Sequence, residues 1–325
     1  MNKFIVLLFH STDDRNRSSL KDLGNIHPDL FEEVLMSLKK DFDIVSLEEI
    51  VEGISKRGKS REKLLAITFD DGPKSYAVNA VPIMDSLGIP STCFLITDCI
   101  GDKEVYWRYL YNFCINSGKG MELADLINSE YGASINTEGI IKFTRNNYNK
   151  KKSISIMRKI FEEIISKDEY NSKEGELLLS VKDIDTLKKK QSVSFGIHTH
   201  THPVMMRLSD DEIHNEIYES LEFYKSNIKD NTPMFSIPFG RLYQDYDERT
   251  IITAGKLSVD VILSAYGGDN KIGQPLYNIR RLSVNEGMLK DGIGSFVRSL
   301  NNIEAPSEYS EKEDYLNSVI QKKDY

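Results

Sequence analysis

Short apolar runs alternate with longer amphipathic stretches along most of this 325-residue chain. The apolar runs have the length of buried strands, and the stretches between them have the spacing of helices that cover a sheet. This alternation predicts βα units and a parallel sheet rather than a sandwich or a helix bundle. Eight strands separated by helices indicate a barrel of parallel strands. The predicted strands cover residues 4–9, 43–45, 64–69, 92–96, 193–197, 234–237, 259–263 and 277–284.

One region interrupts the alternation. Residues 101–190 are predicted to form mainly helices and polar loops, and they contain no clear strand pair that would extend a barrel. We therefore expect a helical insert, and a possible role for it is a lid. The insert separates a first barrel part (1–100) from a second (191–303), and a charged tail (304–325) follows. We expect the tail to be a loosely attached helix or a frayed end.

Composition excludes two broad classes of function. The chain has 42 Lys and Arg against 50 Asp and Glu, so it lacks the basic surface that nucleic-acid binding requires. No apolar stretch reaches the roughly 18 residues of a transmembrane helix. The apolar run at the N-terminus has no signal-peptide cleavage site, so we expect a cytoplasmic protein. The three cysteines are expected to be reduced, and the oligomeric state is not predicted.

Two adjacent carboxylates, Asp70 and Asp71, follow a predicted strand and precede a Gly-Pro turn. At the C-terminal end of a barrel strand, side chains face the mouth where active sites form. Two neighbouring carboxylates are costly there unless a cation or a shared proton separates their roles. Taken alone, the fragment is equally well explained as an Asp-Asp-Gly turn without function.

Half of the six histidines, His198, His200 and His202, lie within five positions after another apolar strand. Catalytic zinc sites usually have three protein ligands and one position open to water, and imidazole is a favoured ligand. In an extended segment all three side chains would share one face, although Pro203 ends any central strand. The spacing therefore does not choose two of the three. Together with an aspartate they would form the minimum site for metal-assisted hydrolysis, whereas histidines that cap backbone groups are the alternative.

These motifs resemble those of the polysaccharide deacetylases, carbohydrate esterase family 4, which share the NodB-homology domain. The resemblance is carried by residues 68–73 (TFDDGP), 198–203 (HTHTHP) and 235–240 (FSIPFG), and it covers roughly 1–100 and 191–300. It implies an α/β fold with a distorted (β/α)7 barrel, and a glycan or amino-sugar substrate. It also implies a divalent metal, usually zinc, with Co²⁺, Ni²⁺ or Mn²⁺ as alternatives.

The resemblance assigns a role to each matching residue. Asp70 would be the general base, and Thr199 would brace the histidine loop by hydrogen bonding. The backbone N–H of Phe239 would add a donor for the oxyanion. The metal ligands would be one aspartate and two histidines, namely Asp71, His198 and His202. The implied substrate contacts lie beside Phe239, at Pro238 and Gly240.

The chain departs from the family pattern at two positions. Many members carry an arginine at the position of Ser236, and a C-terminal Leu-x-His motif that supplies an acid. This chain has no histidine after His214. It is most similar to the subgroup acting on poly-N-acetylglucosamine, in which a Tyr-His motif on the first strand supplies the acid. Phe9-His10 resembles that motif, and Arg281 resembles a late-strand arginine that replaces the missing one. A packing histidine and a surface arginine are the alternatives.

The implied activity is metal-dependent removal of N-acetyl groups from an amino-sugar-containing glycan or glycan precursor. Trp107 is a candidate for stacking on the sugar, although its near-helical spacing with neighbouring tyrosines also fits the core of the insert. The same site would serve an O-acetyl esterase or a sugar deformylase, and a non-catalytic glycan-binding module is a third possibility. A phosphatase with an aspartyl nucleophile would place its two carboxylates two positions apart, which Asp70 and Asp71 do not.

Overall fold

A parallel β-sheet surrounded by helices forms the centre of the protein in the computed structural model, which describes residues 3–53, 63–101, 104–228 and 233–321. The strands in these residues are β1 (Lys3–Phe9), β2 (Asp43–Ile44), β3 (Lys63–Phe69), β4 (Ser91–Leu95), β5 (Val193–Ile197), β6 (Phe235–Ser236), β7 (Ile262–Leu263), β8 (Asn270–Lys271) and β9 (Leu282–Ser283). The α-helices are α1 (Pro28–Asp41), α2 (Leu47–Val51), α3 (Val81–Leu87), α4 (Trp107–Asn116), α5 (Gly120–Tyr131), α6 (Ile140–Asn146), α7 (Lys150–Lys159), α8 (Lys167–Glu174), α9 (Val181–Leu187), α10 (Asp210–Asn227), α11 (Glu248–Lys256), α12 (Ile293–Leu300) and α13 (Ser310–Gln321).

The sheet closes into a barrel through its last strand. Strands β1, β3, β4, β5, β6 and β7 are parallel neighbours in that order. At one edge β9 pairs in parallel with β1, and at the other edge Ile279 forms a parallel bridge to Leu263 of β7. The segment 279–283 is therefore the seventh member of the ring. The predicted distorted (β/α)7 barrel is confirmed.

Strands β1 and β3 are apolar because both of their faces are covered. They pair along their full length, and in each strand every residue after the first is buried. Phe4 and Val6 pack with residues of the barrel interior, whereas Ile5, Leu7 and Phe9 pack with the surrounding helices. A parallel sheet covered on both faces has this continuous apolar pattern.

The segment between β4 and β5 contains helices α4 to α9, so the predicted insert is mainly helical. In the described part of this segment, the one β-type contact is an isolated bridge between Pro73 and Leu178. The exact boundaries of the four predicted segments stay a prediction. No helix among the described residues is long and apolar enough to cross a membrane.

The C-terminal helix α13 is firmly packed rather than loosely attached. Leu316 and Ile320 are buried on its inner face. Glu313 on the same helix accepts hydrogen bonds from Arg280 Nη1 at 2.7 and 2.8 Å and from Tyr266 Oη at 2.6 Å. Glu313 is one of the charged residues that suggested a frayed end, and its hydrogen bonds attach the helix to the barrel.

Candidate metal centre

The alternation of side chains along the strands directs polar residues into the mouth of the barrel. Leu64 and Ala66 of β3 pack inside the barrel, whereas Leu65 and Ile67 face the helices. Because side chains alternate along a strand, the interior face continues to Asp70 just beyond the strand. The same rule places four further polar residues at or beside the interior ends of other strands, namely His10, His198, Ser236 and Arg281.

Three buried side chains converge at this end of the barrel, and they are the predicted ligands Asp71, His198 and His202. Asp71 Oδ1 lies 3.5 Å from His198 Nε2 and 3.6 Å from His202 Nε2, and the two Nε2 atoms are 3.1 Å apart. Ligand atoms about 2 Å from a tetrahedral zinc ion lie about 3.3 Å from one another. The three atoms therefore fit three corners of a tetrahedral site and leave the fourth corner open.

In both histidine ligands, Nδ1 is the ring nitrogen that lies away from the other ligand atoms, and a hydrogen bond at Nδ1 orients the ring. His198 Nδ1 lies 2.7 Å from the backbone oxygen of Ser236, and His202 Nδ1 lies 2.9 Å from Tyr106 Oη. A proton held at Nδ1 leaves the lone pair of Nε2 directed at a metal. Both rings are thus arranged as ligands through Nε2.

The protonation of the site also fits a cation. Burial, and next the charge of Asp70, raises the pKa of Asp71 to about 7. Burial lowers the pKa of His198 and places the pKa of His202 well below its usual range. Asp71 Oδ1 is buried and has no hydrogen-bond partner among the described residues. A divalent ion would satisfy this oxygen and reverse the shift of the Asp71 pKa.

Asp70 lies beside the triangle and is held by a buried arginine. Arg281 donates from Nη1 to Oδ1 at 2.7 Å and from Nη2 to Oδ2 at 2.8 Å, and Ser236 Oγ donates to Oδ2 at 3.1 Å. Burial alone would raise the pKa of Asp70, but the charge of Arg281, the neighbouring His198 and the hydrogen bonds from Arg281 together outweigh it, and the pKa falls to about 2. Asp70 is therefore ionised at neutral pH, with Oδ2 3.6 Å from His198 Nε2. The alternative of Arg281 as a surface charge is wrong, because its exposed fraction is 0%.

His10 also belongs to this end of the barrel, at the end of β1. Its Nδ1 atom is buried and has no hydrogen-bond partner among the residues that the structure describes. Gly24 packs against it, since a Cβ atom at Gly24 would lie 3.2 Å from that nitrogen. Burial lowers the pKa of His10 to about 4, although the charge of Asp70 opposes the shift. His10 is thus mainly neutral at pH 7, and its role as an acid stays a prediction.

The histidine loop does not continue the strand, so its three histidines do not share one face. Strand β5 ends at Ile197, and Thr199 and His202 have left-handed backbone conformations with φ of 64° and 58°. Thr199 Oγ1 accepts a hydrogen bond from the His202 N–H at 3.0 Å, as the predicted brace would. His200 turns away from the triangle, and its Nδ1 lies 3.0 Å from Thr97 Oγ1.

The Pro-Phe-Gly segment forms one wall of the site. The Phe239 ring centre lies 4.9 Å from that of His202, and the Arg145 guanidinium from the insert lies 4.3 Å from the same Phe239 ring centre. Pro238 and Gly240 are buried. A Cβ atom at Gly240 would lie 2.5 Å from the backbone nitrogen of residue 265, so close packing accounts for the glycine.

Helix α4 of the insert and the residue before it contribute side chains to the site. Trp107 has an exposed fraction of 3%, and its Nε1 donates to the backbone oxygen of His202 at 3.2 Å. Its ring packs against Tyr111, Tyr148 and Phe239, and the role of Trp107 in stacking on a sugar stays a prediction. The sequence reasoning missed Tyr106 and Arg108. The Arg108 guanidinium lies 5.3 Å from the Phe239 ring centre, and its charge opposes the rise in the pKa of Asp71.

The model of the polysaccharide deacetylase family matches residues 57–136 and 150–262, which is more than half of the chain. The protein therefore belongs to the polysaccharide deacetylase family, whose members are carbohydrate deacetylases. Among curated proteins, none matches the sequence.

Solved structures share the fold over nearly the whole chain. The Streptococcus pyogenes deacetylase PplD in complex with acetate is 18% identical with a TM-score of 0.58, and the match covers 94% of this chain and 99% of that one. IcaB from Ammonifex degensii is 15% identical with a TM-score of 0.58, covering 92% and 98%. The de-N-acetylase from Aggregatibacter actinomycetemcomitans is 13% identical with a TM-score of 0.57, covering 91% and 100%. At these identities the likeness establishes the fold.

Proposed function

We propose that the protein is a metal-dependent deacetylase that removes N-acetyl groups from an amino-sugar-containing glycan or glycan precursor. The observation that carries this proposal is the triangle formed by Asp71, His198 and His202 directly beside the ionised Asp70. A carboxylate and two imidazoles suit Zn²⁺, and the same donors accept Co²⁺, Ni²⁺ or Mn²⁺. When bound, such an ion lowers the pKa of a coordinated water and polarises the acetyl carbonyl.

Asp70 would remove the proton from the attacking water. Its two hydrogen bonds from Arg281 keep it ionised and fix its orientation, so it is ready to accept a proton at neutral pH. Ser236 Oγ accepts from Arg281 Nη2 at 2.7 Å and donates to Asp70, so it links the base to its arginine. Ser236 thus supports the base at the position where many family members carry arginine.

Two further groups would act on the developing charges. The backbone N–H of Phe239 would donate to the oxyanion, since this residue packs against the ligand His202. His10 would protonate the leaving amine. Because the pKa of His10 is about 4 in the free protein, it has to take up a proton with substrate bound before it can donate one.

The test combines metal analysis with acetate release from a panel of N-acetylated sugars. We expect about one metal per chain and acetate release in the wild type. Asp70→Asn should retain the metal and lose acetate release, and His198→Asn should lose both. The matched control is His200→Asn, which changes a histidine of the same loop that faces away from the triangle and should keep both.

Four results would contradict the proposal in different ways. A protein without metal would overturn the assignment of the site. Full activity in Asp70→Asn would overturn the role of the base. A metal-loaded protein that binds amino-sugar oligomers and never releases acetate would favour the non-catalytic glycan-binding module, whereas release from O-acetyl sugars alone would favour the esterase.

A further inference from the structure

A buried carboxylate on helix α10, Glu216, anchors the loop that carries the histidine ligands. The residue has an exposed fraction of 1%. Its Oε2 accepts the backbone N–H of Thr201 at 2.8 Å, and its Oε1 accepts the Thr201 hydroxyl at 2.7 Å. The backbone oxygen of Glu216 also accepts the N–H of His200 at 3.1 Å. One residue outside the loop therefore binds the two residues that precede His202.

The loop needs such an anchor because its backbone is strained on both sides of this contact. Thr199 and His202 both adopt left-handed conformations that side-chain-bearing residues rarely occupy. Such conformations persist only where surrounding contacts hold them. The bond from the His202 N–H to Thr199 Oγ1 lies within the loop, whereas Glu216 connects the loop to a long helix of the barrel layer.

The insert supplies the counter-charge of this carboxylate. Lys150 Nζ, at the start of α7, donates to Glu216 Oε1 at 2.6 Å. Among the residues that the structure describes, Lys150 is the one basic residue in an ion pair with Glu216. A buried carboxylate without such a partner is strongly unfavourable, because desolvation penalises its charge. Glu216 holds the loop through its carboxylate, and the counter-charge that stabilises this buried carboxylate comes from a residue of the insert.

We infer that Glu216 and Lys150 form a positioning pair that holds His202 in the metal triangle. The insert is then a structural part of the metal centre and not only a cover over it. Groups that orient the ligands of a metal commonly change its affinity by about ten- to hundredfold when they are removed. The inference rests on the proposed metal-dependent function, so its test measures metal binding separately from turnover.

The experiment is a double-mutant cycle with Lys150→Met, Glu216→Gln and the combination. The readouts are the dissociation constant for Zn²⁺, measured by competition with a chelator, and the visible absorption spectrum of the Co²⁺-loaded protein. Lys150→Met leaves a buried carboxylate unpaired, so we expect Zn²⁺ to bind about ten- to hundredfold more weakly. Glu216→Gln keeps a hydrogen-bond acceptor for Thr201, so we expect a smaller loss. In the Glu216→Gln background, Lys150→Met should have no further effect.

The matched control is Lys159→Met on the same helix. Lys159 pairs with Glu130 at 2.8 Å inside the insert, away from the histidine loop, so its loss should leave Zn²⁺ affinity and the Co²⁺ spectrum unchanged. Thr201→Val removes the hydroxyl bond to Glu216 and the contact of that hydroxyl with Tyr148, and it keeps the backbone bond to Glu216. It should weaken Zn²⁺ binding by a few fold even if Lys150→Met fails to fold.

Two outcomes separate this inference from the proposed function. In the first outcome, Lys150→Met and Thr201→Val lower the melting temperature while Zn²⁺ affinity and the Co²⁺ spectrum stay those of the wild type. The pair would then be purely structural, and the positioning role would be overturned. A wild-type protein that binds neither ion would overturn the metal-dependent function and this inference together.

Discussion

Arg281 donates to both carboxylate oxygens of Asp70, at 2.7 and 2.8 Å, from a position 211 residues further along the chain. It lies in the segment that closes the barrel, and its Nε donates to the backbone oxygen of Ser264 at 3.0 Å. The guanidinium is therefore held through Nε as well as through Nη1 and Nη2. Ser236 stands at the position where the family pattern has an arginine. In this chain Asp70 therefore takes its arginine partner from a different segment of the barrel, the one that carries Arg281.

Replacing this arginine should change the pH dependence of catalysis. In Arg281→Met the burial of Asp70 loses its main opposing group, so the pKa of Asp70 rises above the value of about 2 in the wild type. The acidic limb of the kcat/KM profile should move to higher pH, and the free energy of unfolding should fall by about 3–5 kcal/mol. Both are measured on the purified variant, by acetate release across pH and by urea unfolding.

Arg280→Met is the control for this prediction. Arg280 is also a buried arginine in an ion pair, but its partner is Glu313 of the C-terminal helix. Its loss should lower stability and leave the pH profile in place. If the two variants share one pH profile, Arg281 does not set the ionisation of the base.

Metal affinity should depend on pH through Asp71. Burial and the charge of Asp70 raise the pKa of Asp71 to about 7 in the metal-free protein, so below that pH a metal ion must displace its proton. The dissociation constant for Zn²⁺ should therefore increase about tenfold for each pH unit below 7. The pKa of His202 lies well below its usual range, so this histidine should not add to the slope near pH 6. A chelator competition between pH 5.5 and 6.5 measures it, and a flat response would contradict the assignment of Asp71.

Tyr106→Phe should weaken metal binding without removing a ligand. The variant loses the contact between Tyr106 Oη and His202 Nδ1 at 2.9 Å, so the ring loses the partner that orients it. We expect Zn²⁺ to bind about tenfold more weakly. Tyr76→Phe is the matched control, because the Tyr76 hydroxyl is also buried and lies 2.9 Å from Ser91 Oγ. This variant should bind Zn²⁺ as the wild type does. Equal affinities in the two variants would show that Tyr106 has no effect on the ligand.

His10→Ala should distinguish amide from ester substrates. An amine is a poor leaving group without a proton, whereas an activated ester needs little help from an acid. We therefore expect acetate release from an N-acetyl sugar to fall by about 100-fold or more, and release from an aryl acetate to fall much less. Equal losses on both substrates would argue that His10 only packs against Gly24.

The sequence predicts most of the site because its key residues follow strands directly. Asp70, Asp71 and His198 come directly after apolar runs that predict parallel strands, and the carboxyl ends of parallel strands meet at the same end of the barrel. The barrel itself follows from the same runs. These features depend on local patterns, which a sequence displays.

Other features depend on contacts that no local pattern records. Tyr106 meets His202 across 96 residues, and only the packing of the insert brings them together. The choice of His202 over His200 follows from two left-handed residues in the loop, whose conformation no spacing rule indicates. The predicted strand 277–284 is instead a short turn followed by β9 (Leu282–Ser283), and β8 (Asn270–Lys271) is polar and too short to show a strand pattern.

Because the segment 279–283 both closes the barrel and carries Arg281, the order of synthesis bears on when the site becomes functional. A ribosome adds every metal ligand and the base Asp70 before it adds the arginine that keeps this base ionised. Until residue 281 leaves the exit tunnel, the segment that closes the ring and the arginine that pairs with Asp70 are both absent from the part of the chain that can fold. A chain that terminates before residue 279 would retain all three ligands and lose barrel closure and the partner of its base together.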